Sequence, residues 1–409
     1  MSILRPFRAL RPTPEHAAEV AAVPYDVVDR REAYELAHER PLSFLHVSRA
    51  EIDLPDNTDP YDLSVYDKAA ENLENLRKKG VLITDNEPAV YVYQQQMGDH
   101  IQTGIAATFS VDEYDTNLIK KHEKTRKAKE DDRTRHIITT KAQTGPVFLT
   151  YRALDSIDKI VEDICKTEPL FNFTAEDGIR HTAWRVTDCD ALIKEFAKIP
   201  AMYIADGHHR AASASRTRAK LRSESSSWTG QEPANFFLAV AFPANQLKIM
   251  SYNRVVADLN GHSAEELKAA IGKVVPVSDN ASAAPEKDGH VSMYLDGKWY
   301  DLNLNSLKAK AYSPAQSLDA AVLQENILAP ILNIGDPRTD ERIDFVGGIR
   351  GTGELVKRVD EGKAAVAFSM RPVSLDELMA IADAGEIMPP KSTWFEPKLR
   401  DSIVSHDLH

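Results

Sequence analysis

Cysteine is scarce in this 409-residue sequence, which contains only Cys165 and Cys189. They form no CxxC pair and have no spacing suited to zinc, so a disulfide framework is unsupported and a reducing cytoplasm fits best. Long apolar runs are also missing, because the most apolar segment, 236–242, is far shorter than the roughly 20 residues of a membrane span. The amino-terminal residues lack the apolar run of a signal peptide. These absences predict a soluble cytoplasmic protein without a membrane partner.

Positive charge is in the minority, since the formal net charge is −12. Affinity for nucleic acid comes mainly from neutralising phosphates, so this balance argues against a general nucleic-acid binder. A Walker A sequence and a complete GxGxxG fingerprint are absent as well. Segment 348–353 is glycine-rich, but its spacing is wrong for a dinucleotide site. A simple turn is favoured there over a second anion site.

The overall composition is that of a globular protein, with 43% hydrophobic and 27% charged residues. Alternating helical and strand patterns predict a mixed α/β core over residues 1–256. A small α+β insert is predicted over 257–317, with a hairpin turning at Asp296-Gly297. A C-terminal unit of helices and strands with a Pro-rich tail is predicted over 318–409. Apolar helices in that unit make a homodimer plausible.

Periodicity and helix-end signals predict the individual elements of these units. Helices are predicted over 29–39, 66–79, 157–164, 190–198, 208–221, 264–271, 321–332 and 374–384. Strands are predicted over 89–93, 105–109, 147–151, 201–205, 236–242 and 248–256, and the last two are expected to close the first unit.

A DGHHR motif, residues Asp206–Arg210, stands between a predicted buried strand and a predicted helix. The first turn of a helix has unpaired N–H groups and a partial positive charge. Gly207 lets the backbone approach a ligand, the side chains of His208 and His209 add donors, and Arg210 would hold phosphate oxygens in a bidentate fork. The motif therefore predicts a phosphate site, against the simpler interpretation of a surface turn. Asp206 would accept from a substrate hydroxyl, or only cap the helix.

The densest cluster of charge lies between Leu118 and Lys141, with nine Lys/Arg and four Asp/Glu residues, a local balance of +5. Such a run is often only a solvated helix face. Two features favour function. The first is a carboxylate, Glu123, beside His122, with Lys121 and Thr125 adjacent: Glu123 and His122 would act on protons, and Lys121 and Thr125 would contact phosphate. The second is the pair Arg133 and Arg135, which would bind polyphosphate charge. A zinc site at the adjacent histidines of the DGHHR motif is disfavoured, because they point to different sides of a helix and lack a third ligand. No metal ligands are predicted.

Seven short motifs in a fixed order resemble the family catalogued as domain of unknown function 1015, and the match covers nearly the whole chain. They are Val23-Pro-Tyr-Asp26, Ser43-Phe-Leu-His46, Lys121-His-Glu-Lys-Thr125, Asp132-Arg133, Asp206-Gly-His-His-Arg210, Asn253-Arg-Val255 and Met388-Pro-Pro-Lys-Ser-Thr393. This resemblance implies kinship and no particular activity. Arg254 and Lys391, which lie in two of these motifs, are further candidate substrate contacts. The Pro-rich tail around Lys391 is expected to fasten onto the core, with a substrate lid as the alternative.

The DGHHR motif is also similar to the phosphate loop of the ParB/sulfiredoxin superfamily, which includes nucleotide-dependent free serine kinases. This resemblance implies a mixed-sheet core, phosphate held by residues 207–210, Asp206 facing the reacting hydroxyl or Mg²⁺, and ATP or ADP with Mg²⁺ as cofactors. The acidic base of those kinases has no recognisable motif here, so Glu123 is the first candidate on its chemistry and Asp26 the second. Sulfiredoxin chemistry is disfavoured, because His208 stands where it needs a cysteine. ParB-like DNA segregation is disfavoured as well, because no helix-turn-helix accompanies the motif.

Three hypotheses for function follow from the sequence. The first is a phosphotransfer enzyme acting on a small hydroxy amino acid or its phosphate ester, with serine or phosphoserine as the best guess. The second is a regulator that only senses a nucleotide or phosphate. The third is a phosphatase of the phosphoserine type.

Overall fold

The structure is a computed structural model that describes residues 3–409, and it contains both strands and helices throughout. The strands are β1 Leu4–Arg5, β2 Ala9–Pro12, β3 Leu82–Thr84, β4 Val90–Met97, β5 His100–Ser110, β6 Ile119–Lys120, β7 Ala142–Gln143, β8 Val147–Tyr151, β9 Phe171–Thr174, β10 Arg180–Val186, β11 Met202–Asp206, β12 Phe236–Pro243, β13 Lys248–Met250, β14 Tyr252–Val256, β15 Val277–Asp279, β16 His290–Leu295, β17 Lys298–Asn303, β18 Ile343–Gly347, β19 Val366–Ser369, β20 Trp394–Glu396 and β21 Ser405–Asp407.

The helices are α1 Ala17–Val20, α2 Arg30–Ala37, α3 Leu45–Ser48, α4 Leu63–Lys78, α5 Val111–Asp115, α6 Lys127–Thr140, α7 Asp155–Cys165, α8 Asp190–Phe196, α9 His208–Glu224, α10 Ala264–Gly272, α11 Asn305–Lys308, α12 Asp319–Leu323, α13 Gly353–Asp360 and α14 Leu375–Asp383. A π-helical turn, Gln324–Leu328, follows α12 directly. Among the described residues, no helix combines the length and the apolar character that crossing a bilayer requires.

Unit 1 comprises the chain up to Leu247 together with Pro397–His409. Its main sheet has nine strands in the order β6-β11-β8-β12-β5-β4-β10-β9, with β1 also paired to β5. The sheet is mixed, because β12 pairs parallel to β8 but antiparallel to β5. Strand β12 is apolar and almost wholly buried, as expected for a strand covered on both faces. The prediction of a mixed α/β fold is confirmed.

The DGHHR motif lies between strand β11, which is buried, and helix α9, which has one buried face. Strand β11 runs between β6 and β8, and its first four residues are buried, so the chain emerges from the core at Asp206. Helix α9 begins two residues later and places Ala211, Ala212 and Ala214 in the interior. The small alanine side chains let this helix lie close to the strands beneath it. The predicted strand, loop and helix are all present at this position.

Unit 2 comprises Lys248–Glu396 and has its own sheet and core. Its six strands follow the order β15-β17-β16-β19-β14-β18 and pair antiparallel throughout. The predicted hairpin is present as β16 and β17, and both Asp296 and Gly297 have positive φ, which a two-residue type I′ turn requires. Strands β13 and β20 form a separate two-stranded sheet.

The domain boundaries of the structure differ from those predicted. The six-stranded sheet joins β14 from the predicted first unit, β15–β17 from the predicted insert, and β18 and β19 from the predicted C-terminal unit. The predicted boundary near residue 317 therefore falls inside one folded unit, and strands β13 and β14 do not close the first. The last segment, Pro397–His409, belongs to unit 1, where β21 pairs with β2 and β7. Local patterns do not reveal which distant strands will pair.

Two segments depart from a single continuous helix. The continuous helix predicted over 321–332 is α12 followed by the π-helical turn. The basic segment is only partly helical: β6 pairs with β11, residues 121–126 are irregular, and α6 begins at Lys127. The irregular stretch carries the residues that approach the DGHHR motif.

Candidate functional site

Gly207 makes the sharp turn between β11 and α9. Its φ is +90°, in the left-handed region that residues with a side chain rarely adopt. A Cβ atom at this position would lie 3.0 Å from Cζ of Arg210. Two features therefore favour glycine here, namely the backbone conformation and the close approach of the guanidinium group.

The first turn of α9 offers unpaired donors. The N–H of Ala211 donates to the carbonyl of Gly207 at 3.0 Å, which is the first bond of the helix. Within residues 3–409, no acceptor is found for the N–H groups of His208, His209 and Arg210. Three N–H donors without a partner among the described residues, at the positive end of a 17-residue helix, suit an oxyanion.

Arg210 is turned into the protein and organises the carboxylates around it. Its Nη1 donates to the carbonyl oxygen of Pro146, and its Nη2 lies 3.5 Å from Oδ2 of Asp206 and 3.7 Å from Oδ2 of Asp26. Burial opposes the charged form, but Asp26 and Asp206 raise the pKa of Arg210, which stays cationic. The bidentate fork predicted for phosphate is thus largely occupied by protein groups. Only Nε, which is buried, has no partner among the described residues.

Asp206 stays ionised although burial opposes its charge. Burial would raise the pKa of this carboxyl group, but Lys398 and Arg210 outweigh it and lower the pKa below its ordinary value. The ammonium group of Lys398 lies 3.4 Å from Oδ2, and the other carboxylate oxygen accepts the N–H of Gly207 at 2.9 Å. Asp206 therefore accepts a hydrogen bond from the adjacent Gly207 and does not cap the N–H groups in the first turn of α9. Its side chain is still 32% exposed, and that of Asp26 is 37% exposed.

The two histidines of the motif hold the irregular segment 121–126. The N–H of His122 donates to Nε2 of His208 at 3.4 Å, and the N–H of Arg126 donates to Nε2 of His209 at 3.0 Å. Since Nε2 accepts in both rings, the neutral form of each carries its proton on Nδ1. In His208 that nitrogen lies 3.7 Å from Oε2 of Glu123. The backbone of the segment is thus fixed over the motif by imidazole acceptors.

His122 and His208 form a buried, uncharged pair. Their rings meet edge to face with centroids 4.5 Å apart. Burial lowers the pKa of His122 to about 4, and burial together with the neighbouring His122 lowers the pKa of His208 well below its ordinary value. Neither ring nitrogen of His122 has a partner among the described residues. His122, predicted as a catalytic residue, therefore supports the ring of His208 and is shielded from solvent.

Other predicted site residues have partners of their own. The ammonium group of Lys121 lies 4.0 Å from the centroid of the Tyr114 ring, and the hydroxyl of Thr125 donates to Glu130. Arg254 and Lys391 belong to unit 2. The structure thus joins Asp26, Glu123 and the DGHHR motif in one cluster, and gives Lys121 and Thr125 other contacts.

Arg133 lies between two cavities of unit 1, a placement that the charge cluster alone did not indicate. Its guanidinium pairs with Asp132 and lies 4.0 Å from the centroid of the Tyr25 ring. One cavity, of about 30 Å³, is lined by Arg133, Arg210 and Asp401, and the other, of about 180 Å³, by Arg133 and a further set of polar groups. Arg133 thus connects the surroundings of the DGHHR motif with a larger polar cavity. Arg135 instead donates to the carbonyl of Tyr61.

Two residues of the site escaped prediction because no local pattern marks them. Lys398 and Asp401 lie about 190 residues from the motif in sequence and return to it with the last segment of the chain. Asp401 is buried, and an added Cβ at Gly145 would lie 2.9 Å from its Oδ1. Burial raises the pKa of Asp401 to about 7, against the opposing effect of Arg210.

Among residues 3–409, no cluster of three or more His, Cys, Asp or Glu side chains is arranged to hold a metal ion.

Comparisons with known proteins bear on the fold and the family. No curated protein matches the sequence. The similar solved structures include SbnI from Staphylococcus aureus with a C-terminal truncation, at 12% identity, 72% coverage of this chain, 85% of that chain and a TM-score of 0.39. A free serine kinase in complex with AMP follows at 14% identity, 71% and 86% coverage and a TM-score of 0.34. A conserved hypothetical protein from Pyrococcus furiosus follows at 16% identity, 74% and 94% coverage and a TM-score of 0.35.

Likeness at these TM-scores carries no conclusion about activity. The family is decided by a different comparison, in which the model described as "Protein of unknown function (DUF1015)" matches residues 4–321. That span contains every residue of the cluster except those in the last segment. The predicted kinship is confirmed, and the chain belongs to the DUF1015 family.

Proposed function

We propose that unit 1 is a phosphotransfer enzyme that acts on a small hydroxy amino acid or its phosphate ester, with serine or phosphoserine as the first choice. The observation that carries the proposal is the N-terminus of α9, where three unpaired N–H groups stand beside two partly exposed carboxylates, Asp26 and Asp206, held by buried Arg210. Donors for the phosphate and acceptors for a hydroxyl proton are thus present in one place.

Phosphoryl transfer asks a protein mainly for positioning and for neutralisation of charge. The helix N-terminus at Gly207 supplies the donors for phosphate oxygens, and Lys398 adds a cation that lies 3.4 Å from Asp206. Asp206, which remains ionised, is suited to orient a hydroxyl group or to accept Mg²⁺ brought by a nucleotide. Mg²⁺ at such sites commonly uses one or two carboxylates together with substrate phosphates, so the residues present fit ATP or ADP with Mg²⁺.

Two carboxylates are candidates for the general base. Asp26 faces the guanidinium of Arg210 and is 37% exposed. Glu123 faces Nδ1 of His208, which carries a proton in the neutral ring, and is 48% exposed. A base must reach the hydroxyl proton of the acceptor, and the position of the acceptor decides between the two. Exchange of each for its amide is the direct test.

The larger of the two cavities that Arg133 lines supports an amino acid as the acceptor. It has a volume of about 180 Å³ and is lined by side chains of both charges, namely Arg49, Glu51, Lys129, Asp132 and Arg133. Its wall also carries the hydroxyl of Ser48, which is buried and has no partner among the described residues. Groups of both signs suit the carboxylate and the ammonium group of a zwitterion.

The test is an activity assay on the full chain. The protein is incubated with ATP or ADP, Mg²⁺ and a panel of hydroxy amino acids, and separately with phosphoserine alone, while phosphorus NMR follows the products. Arg210→Met is expected to reduce kcat/KM by about 100-fold, because Arg210 holds Asp26 and Asp206 in position and a displacement of about 1 Å in an active site can cost this much. The matched control is Arg222→Met, an exposed position on the same helix.

The base is identified in the same assay. Asp26→Asn and Glu123→Gln are compared with Glu224→Gln, an exposed carboxylate on α9, and the true base is expected to lose about 100-fold or more in kcat. Phosphate released from phosphoserine without nucleotide would identify a phosphatase. Nucleotide binding without turnover across the panel would identify a sensor. Equal activity of Arg210→Met and Arg222→Met would refute the assignment of this site.

A further inference from the structure

Arg254 is a buried cation without an anion. Its side chain lies on β14 in unit 2 and the residue is 4% exposed. Its Nη1 donates to the carbonyl of Tyr252 at 2.6 Å, and its Nη2 lies 3.4 Å from the carbonyl of Lys391. Within the described chain it forms no ion pair with any carboxylate, and burial lowers its pKa to about 10. The face of the Phe345 ring, whose centroid is 5.5 Å from Cζ, offers only partial compensation.

An unpaired buried charge is costly, which is why proteins pair such groups. Every other arginine in the described chain that is exposed by less than a tenth has a carboxylate within 4.0 Å: Arg11 pairs with Asp85, Arg210 with Asp206, and Arg400 with Asp177. Arg254 departs from this pattern. Asp319 and Glu377 line another cavity that Arg254 borders, but neither forms an ion pair with it, so an external anion would supply the missing partner.

A cavity of about 220 Å³ adjoins Arg254 and is lined by a second cation. Arg338 shares its wall, together with Gln324, Gly335 and Pro389. The wall also contains Asp336, but this carboxylate accepts the N–H of Arg338 at 3.0 Å and so shapes the turn that carries the second arginine. A volume of this size admits a small polar ligand in place of several water molecules.

The wall of this cavity is built from an irregular backbone. Gln324 begins the π-helical turn, and its Nε2 donates to the carbonyl of Ile334 at 2.7 Å, which ties the loop before Arg338 to that turn. Single π-helical turns occur frequently at functional sites, because they cost stability and are kept for what they position. On the other side, Lys391 has a φ of +55°, and this left-handed turn accompanies the carbonyl that Arg254 contacts.

We infer that the cavity beside Arg254 and Arg338 in unit 2 binds a small oxyanion, either a phosphate ester or a carboxylate. Arg254 forms the buried end of the site and Arg338 its exposed end. A guanidinium group recognises both ligand classes through the same N–H donors, so the structure defines the shared chemistry of the ligand. The residues of this site belong to unit 2 and the DGHHR motif belongs to unit 1, and the inference does not depend on the activity proposed above.

The experiment is calorimetric titration of the full chain with inorganic phosphate, sulfate and succinate. Each variant carries a single substitution, so any phosphate bound at the N-terminus of α9 in unit 1 contributes equally to all of them. Saturable binding of phosphate or succinate by unit 2 is expected, and Arg254→Met and Arg338→Met are each expected to weaken this component at least 10-fold. Arg350→Met, an exposed arginine of the same unit, is the matched control and is expected to bind as the unsubstituted protein does.

The three ligands distinguish the two classes of oxyanion, phosphate esters and carboxylates. Binding of phosphate and sulfate without succinate identifies a phosphate ester site, and the reverse identifies a carboxylate site. Absence of saturable binding of all three, or equal binding by the Arg254→Met, Arg338→Met and Arg350→Met proteins, would overturn the inference. Cooperative unfolding in urea is checked for each variant, and if Arg254→Met does not fold, the exposed Arg338→Met decides alone.

Discussion

Asp401 is expected to make the stability of the protein fall as the pH rises through neutrality. Its carboxyl group is buried beside Arg210 and Gly145, and burial raises its pKa from 3.8 to about 7. Between these two values the folded protein holds a proton that the unfolded chain has lost. Stability is therefore greatest at acid pH and declines until the folded group has also ionised.

The size of the effect follows from the two pKa values of Asp401. One pKa unit corresponds to 1.36 kcal/mol, so full ionisation costs the folded state about 4 kcal/mol relative to acid pH. Part of this 4 kcal/mol has already been lost when the pH reaches about 5, because the carboxyl group of the unfolded chain is largely ionised at that pH. The free energy of unfolding is expected to fall by about 2.5 kcal/mol between about pH 5 and about pH 8 from this group alone.

The assay compares urea unfolding of the wild type and Asp401→Asn across that range. The amide cannot ionise, so the stability of the variant relative to the wild type is expected to rise by about 2.5 kcal/mol as the pH increases. Asp188→Asn removes an exposed carboxylate of unit 1, and its curve is expected to run parallel to that of the wild type. A difference between Asp401→Asn and the wild type that stays constant from about pH 5 to about pH 8 would refute the reasoning.

Three further predictions concern the same unit. Gly207→Ala is expected to lower the free energy of unfolding in urea by about 2 kcal/mol. Gly178→Ala is the control and is expected to cost about 1 kcal/mol, because Gly178 also has a positive φ but has open space around it. Equal losses in the two variants would contradict the contact between Gly207 and the guanidinium of Arg210. Burial lowers the pKa values of His122 and His136 to about 4, so their imidazole NMR signals are expected not to titrate between about pH 5.5 and about pH 8. The free energy of unfolding that these two neutral rings contribute is lost only as the pH falls from 6.5 towards 4. Tyr66→Phe is expected to cost about 2 kcal/mol in guanidinium unfolding, because its hydroxyl donates to a buried carboxylate at 2.9 Å; an unchanged midpoint would show that this bond contributes little.

Local sequence chemistry was sufficient for most of the elements that position the site. Asp29 and Glu32 form the capping box that begins α2, and the apolar run before Asp206 forms a buried strand as predicted. The requirement for Gly207 also follows from local chemistry, since only glycine adopts its backbone conformation at little cost. Such features depend on residues within a few positions of one another, so a single sequence displays them.

The roles of the charged residues could not be predicted to the same extent. The phosphate-binding fork expected of Arg210 depends on its surroundings, and folding places Asp26, Asp206 and the carbonyl of Pro146 around it. Likewise, His122 was expected to act on protons, but burial without a partner leaves it neutral. The charge state of a group depends on its burial and on neighbours that are distant in sequence, which no local pattern contains.

The sequence by itself determined the family, the mixed α/β class, the strand–turn–helix at the DGHHR motif and the proximity of basic residues along the chain. Only the tertiary structure decided that two units exist instead of three, that Pro397–His409 returns to unit 1 with Lys398 and Asp401, and that Arg254 is buried without a carboxylate. The physical reason is the range of the interactions involved. Turn and helix propensities act between neighbours in sequence, whereas strand pairing, burial and electrostatic pairing are set by contacts that exist only once the chain has folded.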